Sequence, residues 1–295
     1  MEQSGNFLQT VQSIDWLMAP PRVVVHLNKL LENERAHWQE VAQIIETEPA
    51  VAARILKLVN SPFYGLQVPI SSIQQALVFL GSIAVTSIAV AVGIFTRMML
   101  KSQPEAAEQL QRFWWHSACT ALVAKALARQ IEVSMAEQVF TAGLLHDIGK
   151  LIVIQASLLH FRELERRIQA GEAEHAAERA LLGATHEEIG DVLAQRWYFP
   201  ESIRAVVRYH SAPHEAPRFQ TQASIVRIAD LLCELWGAGI GEGIQRLLLS
   251  EEPAWRILEE KFPDLSNMDI AAFTLNMEEH FHDAATMLQT LVSEV

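Results

Sequence analysis

Three residues within five positions, His146, Asp147 and Lys150, lie in the apolar stretch FTAGLLHDIGKL, Phe140–Leu151. The spacing predicts a helix over that stretch, burying Leu144, Leu145, Ile148 and Leu151. An imidazole beside a carboxylate in such a surface costs several kcal/mol unless hydrogen bonds or a metal compensate. A metal ion is the usual compensation, because neutral imidazole nitrogen and carboxylate oxygen are both good ligands. Gly143 and Gly149 would let neighbouring helices, or a bound phosphate, approach closely. Four more such residues fall on predicted helices: His116, His186, His210 and Asp230. Separate helices that each supply one or two ligands build a closed, water-poor site. The alternative is a hydrogen-bonded polar cluster that holds no ion.

The elements that must position these residues read as helices throughout; strand alternation is absent, and the expected fold class is all-α. Ser4–Leu17 is a short amphipathic start, closed by Pro20-Pro21. Arg22–Leu31 and Trp38–Glu46 follow, and Pro49 marks the first turn of the next helix, which Asn60-Ser61-Pro62 stops. Ile70–Leu80 and Ser82–Leu100 come next, divided at Gly81. Pro104 marks a lobe boundary, so that residues 1–103 form one lobe, 104–240 the lobe carrying His146 and Asp147, and 241–295 helices packed on the body. In the second lobe Ala106–Gln130 is a long helix, Met135–Gln155 holds the central motif, and Thr185 with Glu188 forms a capping-box pattern. Glu201–His210 and Gln220–Trp236 complete it, and the following GAGIGEG does not follow a strand, so it is not a phosphate loop. The last helix, Asn267–Val295, carries one apolar seam through Ile270, Phe273, Met277, Phe281, Ala284, Leu288, Leu291 and Val295. That seam serves docking on the chain's own core or, alternatively, a homodimer or a partner helix.

Composition narrows the function. Half of the 295 residues are hydrophobic, ample for a core, and the formal net charge is −12. Such acidity argues against gripping a nucleic-acid polymer by its phosphates and against anionic membranes. Cys119 and Cys233 are far apart, with no C-x-x-C, and suit buried thiols in a reducing, cytoplasmic setting. The N-terminus lacks a basic segment followed by an apolar run, so no secretion signal is expected. Ala76–Phe95 is uncharged and about as long as a membrane span, but its glycines, serines and threonine favour a buried core helix. Trp114, Trp115 and Trp197 are expected in the core. His26, His37, His160, His175, His214, His280 and His282 lack partners at useful spacing and are expected in solvent, with His214 closest to the candidate cluster in sequence.

The first hundred residues resemble the N-terminal lobe of the HDOD family, the HD-related output domain of bacterial signalling proteins. The likeness rests on Glu48 before Pro49, then Ala52, Ala53 and Leu56, and the run Asn60-Ser61-Pro62-Phe63-Tyr64-Gly65. Ile73, Ala76, Leu77, Leu80 and Gly81 continue it, and the resemblance extends over about residues 10–235. Met18-Ala19-Pro20-Pro21 stands where the family tends to show Leu-Pro pairs. The paired His146-Asp147 resembles the motif of the HD phosphohydrolase superfamily, and the order His116, His146-Asp147, Asp230 is that of its single-metal site. The resemblance implies a two-lobe HDOD fold with an HD-domain-like helical core and one or two divalent transition metal ions, iron or manganese. His186 and His210 lie where the related HD-GYP phosphodiesterases bring ligands for a second metal. Asp147 would bridge the two metals, Asp230 would complete the first, and Lys150 would face a substrate phosphate or, alternatively, form a salt bridge. In place of that group's tandem His-His and Gly-Tyr-Pro stand Tyr209-His210 and SAPHEAPRF, which weigh against cyclic-di-GMP hydrolysis.

Two functions follow as expectations. The first is a signal-transduction module that binds metal, and a nucleotide ligand besides, and conveys its state to other signalling proteins. The second is a metal-dependent phosphohydrolase, a phosphodiesterase on a nucleotide or cyclic nucleotide, with Asp147 and Lys150 as its catalytic groups. A third reading, an interaction protein with a vestigial cluster, sits poorly with an intact ligand set.

Overall fold

A computed structural model describes residues 7–31, 38–61, 64, 66–240 and 246–292. Pro62, Phe63, Gly65, His37 and Val295 lie outside those residues, as do the side chains of His280, Ala284, Leu288 and Leu291. Every regular element among the described residues is helical. The N-terminal part holds α1 (Phe7–Gln12), α2 (Asp15–Met18), α3 (Arg22–Leu31), α4 (Trp38–Glu46), α5 (Pro49–Val59), α6 (Ile73–Leu80) and α7 (Ser82–Lys101). There follow α8 (Ala107–Ile131), α9 (Ala136–Leu145), α10 (Ile148–Ala156), α11 (Leu158–Gln169), α12 (Glu174–Leu182), α13 (His186–Arg196), α14 (Glu201–Tyr209) and α15 (Gln220–Cys233). The chain ends in α16 (Pro253–Lys261) and α17 (Ile270–Val292).

Local chemistry accounts for most boundaries. Pro49 occupies the first turn of α5, where its missing N–H costs nothing. Ser72 accepts a hydrogen bond from the Gln75 N–H and starts α6 three residues after the expected Ile70. Gly81, at φ +87°, turns α6 into α7. The expected single helix Ser4–Leu17 divides into α1 and α2, with the Ser13 hydroxyl donating to the Thr10 carbonyl at 2.7 Å between them.

The larger departure is at the centre. The predicted helix Phe140–Leu151 is two helices, α9 and α10, joined through a turn at His146 and Asp147. Asp147 has φ −95° and ψ 18°, outside the helical region. The His146 Nδ1–H donates to the Gly143 carbonyl at 2.8 Å, an acceptor that an uninterrupted helix reserves for the Asp147 N–H. The Lys150 N–H closes onto the Asp147 carbonyl at 2.8 Å and begins α10. α15 ends at Cys233, short of the expected Trp236: the chain widens into a π-turn over Glu234–Ala238 and turns at Gly237, φ +87°.

One connected apolar core runs from α1 to α17. Ser82–Lys101 and Val133–Ala156 are long and apolar enough to cross a membrane by length and composition, but most of each is buried inside the protein. Trp197 is fully buried; its indole N–H donates to the Met18 carbonyl at 3.2 Å, and its own carbonyl accepts from Asn28 Nδ2 at 3.0 Å. One tryptophan thus ties α2 and α3 to the end of α13. Trp114 is buried as expected and Trp115 only partly. Phe273, Met277 and Phe281 bury the first part of the α17 seam against α8, so that part docks on the chain's own core.

Truncating Trp197 to alanine removes both the largest buried side chain at this junction and its bond to Met18. Urea denaturation is expected to show a loss of about 3–5 kcal/mol for Trp197→Ala. Trp197→Phe, which keeps a ring in place, should lose about half of that or less.

Candidate metal centre

The turn between α9 and α10 presents His146 and Asp147 side by side to α8, α13, α14 and α15. Close helix packing brings those partners in. A Cβ on Gly149 would stand 1.8 Å from the His186 carbonyl oxygen, and one on Gly190 would stand 2.9 Å from Val207 Cγ1. A Cβ on Gly143 would stand 2.8 Å from Ala121 Cα. These glycines serve helix contact: α9 against α8, and α10 against α13. The capping box at Thr185, with Glu188 reaching back to its N–H at 3.0 Å, fixes where α13 begins and hence where His186 sits.

Six expected residues converge. His116, His146, Asp147, His186 and His210 are 0–1% exposed, and Asp230 is 7% exposed. The His116 Nε2 lies 3.2 Å from the His146 Nε2, 3.5 Å from Asp147 Oδ2 and 3.2 Å from Asp230 Oδ1. The His146 Nε2 lies 3.6 Å from Asp147 Oδ2 and 3.7 Å from Asp230 Oδ1. On the other side, Asp147 Oδ1 stands 3.3 Å from the His186 Nε2 and 3.4 Å from the His210 Nε2, which are 3.3 Å apart. The two oxygens of one carboxylate therefore face two pairs of histidines.

The opposite ring nitrogens show which atoms are free to bind. His116 Nδ1 faces the Ala238 carbonyl at 2.9 Å, and His146 Nδ1 faces that of Gly143. His210 Nδ1 faces the Val206 carbonyl at 3.2 Å. His186 Nδ1 meets Glu178 Oε1 at 2.8 Å, while the other Glu178 oxygen accepts the His186 backbone N–H at 3.1 Å. With an acceptor at every Nδ1, the proton belongs there and each Nε2 offers its lone pair inward. Neither Asp147 oxygen accepts a hydrogen bond of normal geometry. Donors about 2.1 Å from one ion stand about 3.0–3.4 Å apart, close to the spacings here. The donor set fits one divalent cation among His116, His146, Asp147 Oδ2 and Asp230 Oδ1, and another among Asp147 Oδ1, His186 and His210.

Electrostatics point the same way. Burial alone would raise the Asp147 carboxyl, but Lys150, His146, His116 and His186 hold it well below the usual range. Burial opposes charge on His116, yet Asp147 and Asp230 push its pKa up to about 10. Burial likewise opposes charge on His186, which Glu178 and Glu187 raise well above the ordinary value. His210, dominated by burial, is lowered. A pocket that draws protons so strongly onto imidazoles is a pocket short of positive charge. Arg227 occupies the outer oxygen of Asp230 at 3.2 Å and leaves Oδ1 for the cluster.

Lys150 is committed. Its Nζ lies 3.0 Å from Asp147 Oδ2 and 3.0 Å from Glu174 Oε1, with the side chain 8% exposed. Burial raises the Glu174 pKa to about 7 in spite of that lysine. Glu174, Glu178 and Glu187 went unread in the sequence, although α12 and α13 carry them at the edges of their buried faces. His175, expected in solvent without a partner, is partly exposed but meets Glu187 Oε1 at 2.7 Å. His160, also expected in solvent, is half-buried with Ser157 Oγ 2.6 Å from its Nδ1. His214 stays outside, exposed beside Glu215; His26 and His282 are exposed as expected.

A family model described as the HDOD domain matches residues 17–213. The chain is 27% identical over 245 residues to an uncharacterized protein of Treponema pallidum, an alignment covering 80% of this chain and 46% of that one. The chain thus spans about half the length of that curated relative. Among solved structures, it resembles an HDOD domain protein of unknown function from Geobacter sulfurreducens, with TM-score 0.77, 23% identity and coverage of 97% of this chain and 99% of that one. It also resembles a Shewanella amazonensis protein provisionally named a phosphohydrolase, with TM-score 0.72, 21% identity and coverage of 98% and 99%. At these identities the solved structures speak for the fold.

Because α10 and α13 touch through Gly149, its replacement reports on how the cluster is held. Gly149→Ala is expected to lower stability by about 2–4 kcal/mol, since backbone must move to admit the methyl group. Thermal melting measures it; a variant melting with the parent protein would mean that the two helices are not in the contact described.

Proposed function

The chain belongs to the HDOD family, and on that premise we propose that it is a regulatory module built around a metal centre. His116, His146, Asp147 and Asp230 hold one divalent transition metal ion. His186, His210 and the second oxygen of Asp147 hold another. The loaded state is conveyed to partner signalling proteins.

The observation that carries the reading is the pairing of four inward Nε2 atoms with the two oxygens of Asp147. The acceptors that orient those rings lie on segments reaching the surface: the turn at Ala238, and α12 through Glu178. A change of charge in the cluster bears directly on how firmly those segments are held.

What favours a module over an enzyme is the condition of Lys150 and the burial of the donors. A phosphate contact requires a free ammonium, and this one is held between two carboxylates. Freeing it leaves buried Glu174 unpaired, a cost of about 3–5 kcal/mol. A hydrolase would also need its substrate to reach Nε2 atoms that are almost wholly enclosed. When bound, a divalent cation supplies charge stabilisation and a water of lowered pKa, which is the chemistry the phosphohydrolase alternative needs.

Elemental analysis of the purified protein is expected to find manganese, iron or another transition metal, lost in His146→Ala. Chelation should lower the melting temperature, because the ion stabilises only the folded chain. Bis-p-nitrophenyl phosphate is expected to go unhydrolysed by the loaded protein. Turnover that Asp147→Ala abolishes would replace the module reading with the hydrolase; a protein carrying no metal would remove both.

A further inference from the structure

The two halves of the cluster are unequal. Around the His116–His146 side stand two carboxylates, Asp147 and Asp230, while the His186–His210 side has only its share of Asp147. Three donors leave a divalent transition metal below the four it ordinarily takes. A protein donor to fill that place would have to be close and not already spent.

Glu178 is spent, because both of its oxygens accept hydrogen bonds from His186. Glu187 is not. It follows His186 on α13, is 3% exposed, and places Oε1 3.5 Å from the His186 Nε2. Its Oε2 is buried and has no hydrogen-bond partner. The ligand atoms of His175, Glu178, His186 and Glu187 lie within 4.8 Å of one another.

Resting on the metal-centre reading above, we propose that Glu187 is a ligand of the cation held by His186, His210 and Asp147. It brings the unpartnered Oε2 to the ion while Oε1 keeps the His175 Nε2–H. Each cation then has two histidines and two carboxylates, with Asp147 shared. His175 is a positioning residue: it fixes the rotamer of Glu187 from the partly exposed side and touches no ion.

Manganese alone serves as the probe. The full chain, stripped by chelator, is titrated with Mn2+ and followed by calorimetry and electron paramagnetic resonance. The parent protein is expected to show a tight and a weaker class of site, with exchange-coupled signals when both fill. Glu187→Gln, which preserves shape and the His175 contact, should keep the tight class and weaken the other at least about tenfold, with the coupled signal lost. Glu187→Asp should weaken it less, and His175→Ala should retain both classes, with the weaker one loosened less than in Glu187→Gln. Circular dichroism of the metal-free variants checks folding, and if Glu187→Gln does not fold, the Glu187→Asp titration decides. A Glu187→Gln titration matching the parent overturns the inference and leaves the metal centre standing. So does a His175→Ala protein that loses the weaker class as Glu187→Gln does, since Glu187 would then act only through its ion pair. A parent protein with a single class also overturns it, and one that binds no Mn2+ overturns the metal centre together with the inference.

Discussion

The carboxylate of Asp147 is the constraint on which the rest of the structure depends. It is 1% exposed, it accepts no hydrogen bond of normal geometry, and it faces four imidazoles and one ammonium. A buried carboxylate left to itself costs several kcal/mol and would take up a proton instead. Here the surroundings do the opposite and hold it ionised. Everything that converges on it must therefore be fixed in place, since a loose arrangement would let water or a proton relieve the strain more cheaply.

That requirement explains features that would otherwise look like defects. The break between α9 and α10 gives up helical regularity at the two residues that matter most, and His146 itself supplies the side-chain bond that occupies the Gly143 carbonyl. Glycines at 143, 149 and 190 weaken helices that bury them, by about 0.5–1 kcal/mol each relative to alanine. In return α9 closes on α8 and α10 on α13, near enough for His116, His146 and His186 to meet across one carboxylate. The ring orientations come from a further layer of backbone carbonyls and from the Glu178 side chain, which together set the geometry of the donors.

The legibility of this arrangement in the sequence follows from range. His116, His146, Asp147, His186, His210 and Asp230 could be read because polar residues on otherwise apolar helical faces demand partners, and the HDOD resemblance supplied their order. The all-α class, the capping box at Thr185 and the turn at Gly81 are local and were equally plain. Glu178 and Glu187 were not, because what distinguishes them from ordinary surface glutamates is which helix packs over them. The same holds for Glu174, whose partner Lys150 belongs to a different helix. The broken helix escaped periodicity because hydrophobic spacing continues across the turn; only the His146 side chain, competing for a backbone acceptor, interrupts it. Trp197 could be placed in the core but not matched to Met18, a residue 179 positions away.

Lys150 bears on the choice between the two functions weighed for this ligand set. A lysine meant to meet a phosphoryl group must be desolvated enough to act strongly and free enough to move onto its target. This one is desolvated but not free, since Asp147 and Glu174 claim it at equal distance. Its charge is therefore part of the balance of the cluster: it offsets two of the carboxylates that burial would otherwise neutralise. Remove it to serve a substrate, and the Glu174 pKa, already about 7 with the lysine in place, rises further, while Asp147 loses the largest of its opposing charges. A catalytic cycle would repeat that disruption at every turnover. A module that changes state when a cation enters or leaves needs no such movement, because the ion itself alters the balance that Lys150 helps to maintain.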